Sequence, residues 1–369
     1  MSGGITQILA VGAQDVYLTT NPEVSFFRSN YKRYTHFAQS VERQLFQANP
    51  NPGNMTSIKI ERKGDLLSYI YLTASNTANN SLISNINWSN TINYVELYIG
   101  GQLIDTQDQI FNSVVCPVAM ADTYSKRYGG TTTGTNTNNN TFYPLKFFFC
   151  KDFQNCLPLV GLQFHEIEIR IYWNSLMNPA LKYDAWANYI YLDGAERDYF
   201  TNSTGSIDML IWQVQRQLVP NDFVAELAFN QPVKFVAGNV LSYTSGLQTI
   251  KTQINGTDVG IFRGLPHFQE VSQYYHTPFG LHNPGAAAGT LSPAPLMIIP
   301  YCLDTSKLQP TGTINFSRVD SFRLVTDATS GVQLAGTSPC IFAPGSYVYA
   351  VNYNVLRIQQ GMGALLYAN

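Results

Sequence analysis

Residues 164–173 read FHEIEIRIYW. Ile167, Ile169 and Ile171 fall on one side of an extended chain, and Glu166, Glu168 and Arg170 on the other. Successive side chains of a strand point to opposite faces, so this alternation is that of an antiparallel strand with one face in a core. Residues 92–99 repeat the pattern, with Val95, Leu97 and Ile99 opposite Tyr94, Glu96 and Tyr98, and Gly100-Gly101 then supplies a tight turn. Similar strands are expected near 56–62, 66–74, 207–216, 313–318, 321–326 and 346–358. Helical signal is sparse. The capping-box-like spacing of Asp193-Gly-Ala-Glu196 predicts one short helix through Phe200, and Phe111 to Tyr124 has apolar residues at mixed spacing. Many short strands with few helices define an all-β chain of sandwiches or barrels, not a βαβ fold.

At 369 residues the chain exceeds one ordinary sandwich and suits two halves, each able to bury its own core. Thr201 to Gly205 is the natural boundary, following the short helix and preceding a new strand. Residues 129–141, GGTTTGTNTNNNT, can bury nothing and are expected as an exposed loop tip, and 283–295 as another loop. A repeat is hinted at: Val41-Glu-Arg-Gln-Leu45 echoes Val214-Gln-Arg-Gln-Leu218, and the segment 21–27 echoes 230–236 at a different offset.

Charged residues make up only 12% of the chain, about half the usual share. Their place is taken by neutral polar residues and 23 tyrosines, a surface on which like-charge repulsion between copies is weak. The net charge of -2 and the absence of any basic run exclude the electrostatic footprint of a nucleic-acid binder; Lys32-Arg33 reads as a solvated strand end. Five cysteines (Cys116, Cys150, Cys156, Cys302 and Cys340) at irregular spacing read as reduced, mostly buried thiols. No signal-peptide pattern opens the sequence and no run approaches 18 apolar residues, so synthesis and use in the cytosol, or exit other than by secretion, is expected.

A search for chemistry returns no candidate. His165-Glu166 places its two side chains on opposite faces of a strand, so the pair cannot form a cupin-type metal site. His36 stands alone, and the spacing of His267, His276 and His282 matches no zinc signature. There is no GxSxG and no Walker loop, and Gly361-Met-Gly363 reads as a tail turn. Asp105 and Asp108 are expected as solvated residues beside a turn. The N-x-S/T sequons at Asn54, Asn79, Asn87, Asn139, Asn202, Asn255 and Asn315 read as chance products of an Asn- and Thr-rich chain. No catalytic, cofactor-binding or metal-binding residue is expected, and no cofactor.

Five blocks resemble the major capsid proteins of nucleocytoplasmic large DNA viruses. GGITQILAVGAQDVYLTTNPEVSFFRSNYKRYTHFA (Gly3 to Ala38) resembles that family's opening signature. YPLKFFFCKDFQNCLPLVGLQFHEIEIRI (Tyr143 to Ile171) resembles the strands closing its first jelly roll, and YIYLDGAERDYF (Tyr189 to Phe200) follows. LQPTGTINFSRVDSFRL (Leu308 to Leu324) and YAVNYNVLRIQQGMGALLYAN (Tyr349 to Asn369) resemble its C-terminal signatures. The blocks stand in family order across nearly the whole chain. The sequence is short for the family, and 206–240 matches less closely.

The resemblance implies two tandem eight-stranded antiparallel jelly rolls with a few short helices in the loops, the first at 25–205 and the second at 206–369; the Gly and Ala content of residues 1–24 and their lack of alternation point to an N-terminal arm leaving the first roll. It implies a structural protein, not an enzyme, forming homotrimeric pseudo-hexagonal capsomers that tile an icosahedral shell over an internal membrane. Partners are then neighbouring capsomers and minor capsid or cement proteins, with no direct nucleic-acid contact, and the product is a virion component assembled in the host cytoplasm. Aromatics near 268–279 and the 349–367 tail are the expected trimer contacts. Alternatives are a lower-copy capsid paralogue, or a surface carbohydrate-binding jelly roll that stacks sugars around residues such as Trp88.

Overall fold

The structure, a computed structural model, describes residues 3–10, 12–29, 31–83, 86–128, 141–201, 205–219, 222–239, 249–280, 296–327 and 346–367. The loops expected at 129–141 and 283–295 lie, but for Thr141, outside the described residues, as do His282 and Cys340. The chain divides into a small unit, Met1–His36, and a large one, Phe37–Asn369. The small unit holds helical turns at Gly3–Leu9, Ala13–Asp15 and Val16–Thr19, and none of its described residues is buried. Ile8, Tyr17, Leu18, Phe26 and Phe27 are exposed, so this segment has no core of its own.

In chain order the large unit begins with β1 (Phe37–Gln44), β2 (Met55–Lys59), β3 (Leu66–Asn76), β4 (Ile92–Ile99), β5 (Gln102–Asp108), β6 (Phe142–Pro144), β7 (Leu157–Pro158), β8 (Ile167–Trp173) and β9 (Leu181–Leu192). They form two facing antiparallel sheets, β1-β9-β3-β6, with β7 added to β3, and β2-β8-β4-β5. The helix Gly194–Thr201 leads to β10 (Ile207–Leu218), β11 (Val224–Leu227), β12 (Pro232–Asn239), β13 (Thr249–Ile254), β14 (Thr257–Gly264), β15 (Leu296–Pro300), β16 (Ile314–Asn315), β17 (Phe322–Thr326), β18 (Tyr347–Gln359) and β19 (Met362–Leu365). These form β10-β18-β12-β15, with β16 and β19 at its margins, and β11-β17-β13-β14. Among the described residues each half is thus a double-sheet roll of eight principal strands, and no sheet mixes strands of the two halves.

Alternation decides burial where it was read. Ile167, Ile169 and Ile171 of β8 are buried, and Gly100-Gly101 turns β4 into β5 with both φ angles positive, +57° and +80°. The stretch 313–318 departs from expectation: β16 is two residues long and Phe316–Arg318 is a 3-10 turn. The cause is local, because Asn315 Oδ1 accepts the Ser317 N–H at 3.0 Å and pulls the chain out of the ladder. Asn79 and Asn87 do the same to Ser81 and Ser89, at 3.2 and 3.1 Å. At these three sequons the Asn-x-Ser spacing builds an Asx turn.

The sheet β10-β18-β12-β15 is apolar on both faces. Val233, Val236, Met297, Ile299, Val348 and Ala350 face the interior of the second roll. Phe235, Ala237, Leu296, Ile298, Tyr349 and Val351 join the core of the first. Phe235, Val236 and Ala237 serve the two cores by ordinary alternation, and a register shift between Val233 and Phe235 brings Val233 to the same core as Val236, three residues on. Phe235, Leu296, Ile298 and Val351, at about 1.5–3 kcal/mol for each fully buried side chain, contribute on the order of 6–12 kcal/mol to the common core. A strand buried on both faces loses its alternation, which is why LMIIP at 296–300 carried no period-two signal.

Candidate functional site: the seam between the rolls

β5 is the last strand of its sheet, yet Ile104, Asp105, Gln107 and Asp108 are buried because β10 of the second roll lies along it. The expectation that Asp105 and Asp108 are solvated is therefore corrected: they are 4% and 6% exposed. Asp105 Oδ1 accepts the Val214 N–H of β10 at 2.9 Å and the Thr106 N–H at 3.0 Å, while Oδ2 accepts from the Gln107 amide at 2.7 Å. The Gln213 amide donates to the Ile104 carbonyl. Asp108 Oδ2 accepts from the Tyr349 hydroxyl at 2.6 Å and from Arg216 Nη1 at 3.2 Å. Its Oδ1 accepts the Phe111 N–H at 2.8 Å and so starts the π-helical turn Phe111–Val115, whose first ring packs 5.8 Å from Tyr349 and 6.4 Å from Trp212. Burial pushes the Asp105 carboxyl up to about 7, against the three donors that favour its charge. Burial, then the neighbouring Asp108 charge, raises the Tyr349 phenol, holding it as a donor.

The second roll replies with the loop around Thr305. Thr305 Oγ1 donates to the Ala119 carbonyl at 2.5 Å, and its N–H to the His276 carbonyl at 3.0 Å. Lys151 of the first roll donates to the Ser306 carbonyl, and Lys234, in the β12 irregularity, to the Lys307 carbonyl at 2.7 Å. Lys234 is 2% exposed and its ammonium lies 5.5 Å from the Tyr353 ring centre. Burial, then Lys151, pushes the Lys234 ammonium down to about 7, and burial lowers Lys151 as well. On the first roll, Asn155 Nδ2 donates to the Leu210 carbonyl at 3.1 Å. The carboxylates and lysines of the seam hold strands and loops together.

The other singled-out residues are structural. His165 Nδ1 lies 2.9 Å from the Gly363 carbonyl, His276 Nδ1 lies 3.0 Å from that of Cys302, and His267 Nε2 lies 2.8 Å from Arg263 Nη1. Among the described residues, no three His, Cys, Asp or Glu side chains gather as a metal site requires. Cys116, Cys156 and Cys302 are buried free thiols and Cys150 is half-buried; burial pushes Cys150 and Cys156 up to about 12 and Cys302 to about 11, which leaves them protonated and unreactive. Trp88, named as a sugar platform, is fully buried against Tyr143, so that role is corrected. The aromatics expected at trimer contacts divide: Phe268, Tyr349 and Tyr353 are core, while Tyr274, Tyr275 and Tyr367 are exposed at 63%, 71% and 59%. An apolar groove of about 850 Å³ runs over the outer face of β3 and β9, lined by Tyr69, Tyr71, Leu82, Phe142, Phe153 and Trp186. Nothing in the sequence pattern announced it.

Known proteins agree with this architecture. Residues 25–193 match the family described as major capsid protein N-terminus, and residues 202–364 match large eukaryotic DNA virus major capsid protein. The major capsid protein of Pyramimonas orientalis virus is 32% identical over the full length of both chains, and that of Paramecium bursaria Chlorella virus 1 is 29% identical, again over both full lengths. A chain of the PBCV-1 virus capsid superposes with a TM-score of 0.71 at 27% identity, covering 94% of this chain and all of that one. The Faustovirus major capsid protein shares the fold, with a TM-score of 0.63 at 11% identity over 95% and 94% of the two chains. The chain belongs to the major capsid protein family of large eukaryotic DNA viruses, and its two rolls are the double jelly roll of that family.

Proposed function

We propose that this major capsid protein forms homotrimeric, pseudo-hexagonal capsomers that tile an icosahedral virion shell over an internal membrane, with assembly in the host cytoplasm. The shared core across the seam carries the reading. Two rolls joined by buried carboxylates, lysines and apolar side chains act as one brick, and a brick with two similar halves can be repeated around a ring. Among the described residues no helix is long and apolar enough to cross a membrane, so contact with that membrane is assigned to minor capsid proteins. We assign 1–24 as an arm, 25–205 as the first roll and 206–369 as the second. The arm's exposed Ile8, Leu9, Tyr17 and Leu18 suit burial against a neighbouring capsomer or a minor protein. Native mass and negative-stain outline of the purified chain test the proposal: a trimer with hexagonal outline is expected, and a stable monomer at micromolar concentration refutes it. Burial of Trp88 leaves the carbohydrate-binding alternative without its named residue. A lower-copy role is tested by counting this chain per virion.

A further inference from the structure

A second cavity, of about 250 Å³, lies where the two rolls meet. β10 brings Trp212 to it from the second roll, and Cys116, Met120, Lys146 and Lys151 come from the first. It adjoins the outer groove, the two having Lys126, Phe142, Pro144, Leu145, Cys150 and Lys151 in common. Met120, Leu145 and Trp212 are buried, whereas Phe142 is 39% exposed, so the seam cavity is the inner end and the groove the outer. The walls are mainly apolar, but they carry three lysines, and among the described residues no Asp or Glu lines them. Lys126 is answered by the Asp122 carboxylate at 2.9 Å. Lys146 and Lys151 each have one acceptor, a backbone carbonyl: that of Asn112 at 2.7 Å for Lys146, and that of Ser306 for Lys151. An ammonium has three N–H groups to place. Burial lowers both ammoniums from the usual lysine value, and the acids nearby (Cys116 at both, Asp152 and Asp122 at Lys151) do not offset it. The Trp212 indole N–H is buried too and, among the described residues, meets no acceptor. Such a group can only donate, and a buried donor left unpaired is costly and rare.

We propose that the seam cavity binds the carboxylate of a single-chain fatty acid, held by Lys146, Lys151 and the Trp212 N–H, with its tail lying toward the aromatic groove. The donors and the apolar walls call for one molecule with an anionic head and an apolar body. A carboxylate is acceptor-only, with about four lone-pair sites on its two oxygens, and so can take donors from all three side chains. The cavity is smaller than the roughly 300–1,000 Å³ of sites for drug-sized ligands, which favours a carboxylate head over the glycerophosphate of a two-chain lipid. The tail would lie on Tyr71, Leu82, Phe142, Phe153 and Trp186. Seated there, the ligand touches both rolls, Trp212 on one side and Lys146 on the other, and braces the seam.

Calorimetric titration of the full-length chain with laurate, dodecanol and dodecyl phosphate, each kept below micelle formation, tests it. Laurate should saturate one site per chain. Dodecanol keeps the tail and lacks the charge, and should bind about 10- to 100-fold more weakly. Trp212→Phe removes an N–H that has no partner to lose, so the variant should fold as the wild type does by circular dichroism and weaken laurate about 10-fold. Lys146→Met should weaken laurate at least as much; it also frees the Asn112 carbonyl, and Trp212→Phe decides the matter if Lys146→Met does not fold. The absence of saturable binding overturns the site. Equal binding of laurate and dodecanol, or laurate binding untouched by Trp212→Phe, means a tail on the outer groove alone and overturns the anchored head. Tighter binding of dodecyl phosphate than of laurate overturns the carboxylate assignment.

Discussion

Lys234→Met probes the seam through pH. The ammonium of Lys234 sits in the β12 irregularity with one acceptor, the Lys307 carbonyl at 2.7 Å, and Lys151 holds the adjacent Ser306 carbonyl. Burial and Lys151 bring its pKa down to about 7 from 10.5, with Cys302, Asp304 and Asp152 opposing the shift. Below pH 7 both folded and unfolded chains hold the proton, and stability does not change with pH through this group. Between pH 7 and 10.5 the unfolded chain keeps the proton that the folded chain has lost, so stability rises with pH, at up to ~1.4 kcal/mol per unit. From pH 7.5 to 10 the integrated gain is about 3 kcal/mol. Lys234→Met keeps the length of the side chain and removes the proton. Urea unfolding of both proteins by tryptophan fluorescence, at several pH values across that window, gives the difference. Effects of buried thiols and phenols cancel between the two. The wild-type chain should gain about 3 kcal/mol on the variant, which itself should be as stable as wild type, or more so, at pH 7. Parallel curves across pH, or a wild-type chain that loses ground as pH rises, would refute the buried-ammonium argument.

Three further outcomes are expected. Asp108→Ala strands the Tyr349 hydroxyl, Arg216 and the Phe111 N–H at once, and should cost about 3–5 kcal/mol, read as a lower urea midpoint. Asp105, with its folded pKa raised to about 7, favours the folded chain when protonated, so its contribution is lost as pH rises from about 4 through 7. Asp105→Asn should flatten that part of the stability profile, and an unchanged slope would argue against it. Gly100→Ala puts a methyl group 2.2 Å from His165 Nδ1 at a φ of +57°, and should destabilise by at least about 1–3 kcal/mol in thermal melts; a neutral result would mean the turn re-forms.

Local physics made much of the fold legible in the sequence. The alternation in 164–173 and 92–99, the Gly100-Gly101 turn and the cap at Asp193 each act within one strand, turn or helix, and each decided its own conformation. Ordered motif blocks carried the family and, with it, the jelly rolls. What the sequence could not express was any surface whose environment is supplied from far along the chain. Asp105 and Asp108 look like turn residues because they follow Gly100-Gly101; only the docking of β10, more than a hundred residues later, removes their water. Lys234 carries no sequence signal of burial; the irregularity in β12 and the Lys307 loop enclose it. Trp88 sits in an Asn-rich stretch that suggests exposure, yet Tyr143 and Tyr183 close over it. The sequence by itself determined the strands, the absence of a recognisable catalytic motif and the family resemblance, because these depend on neighbours in the chain. The tertiary structure alone decided which charges are buried, which sheet serves two cores, and which apolar side chains stay exposed, because desolvation depends on what packs in space.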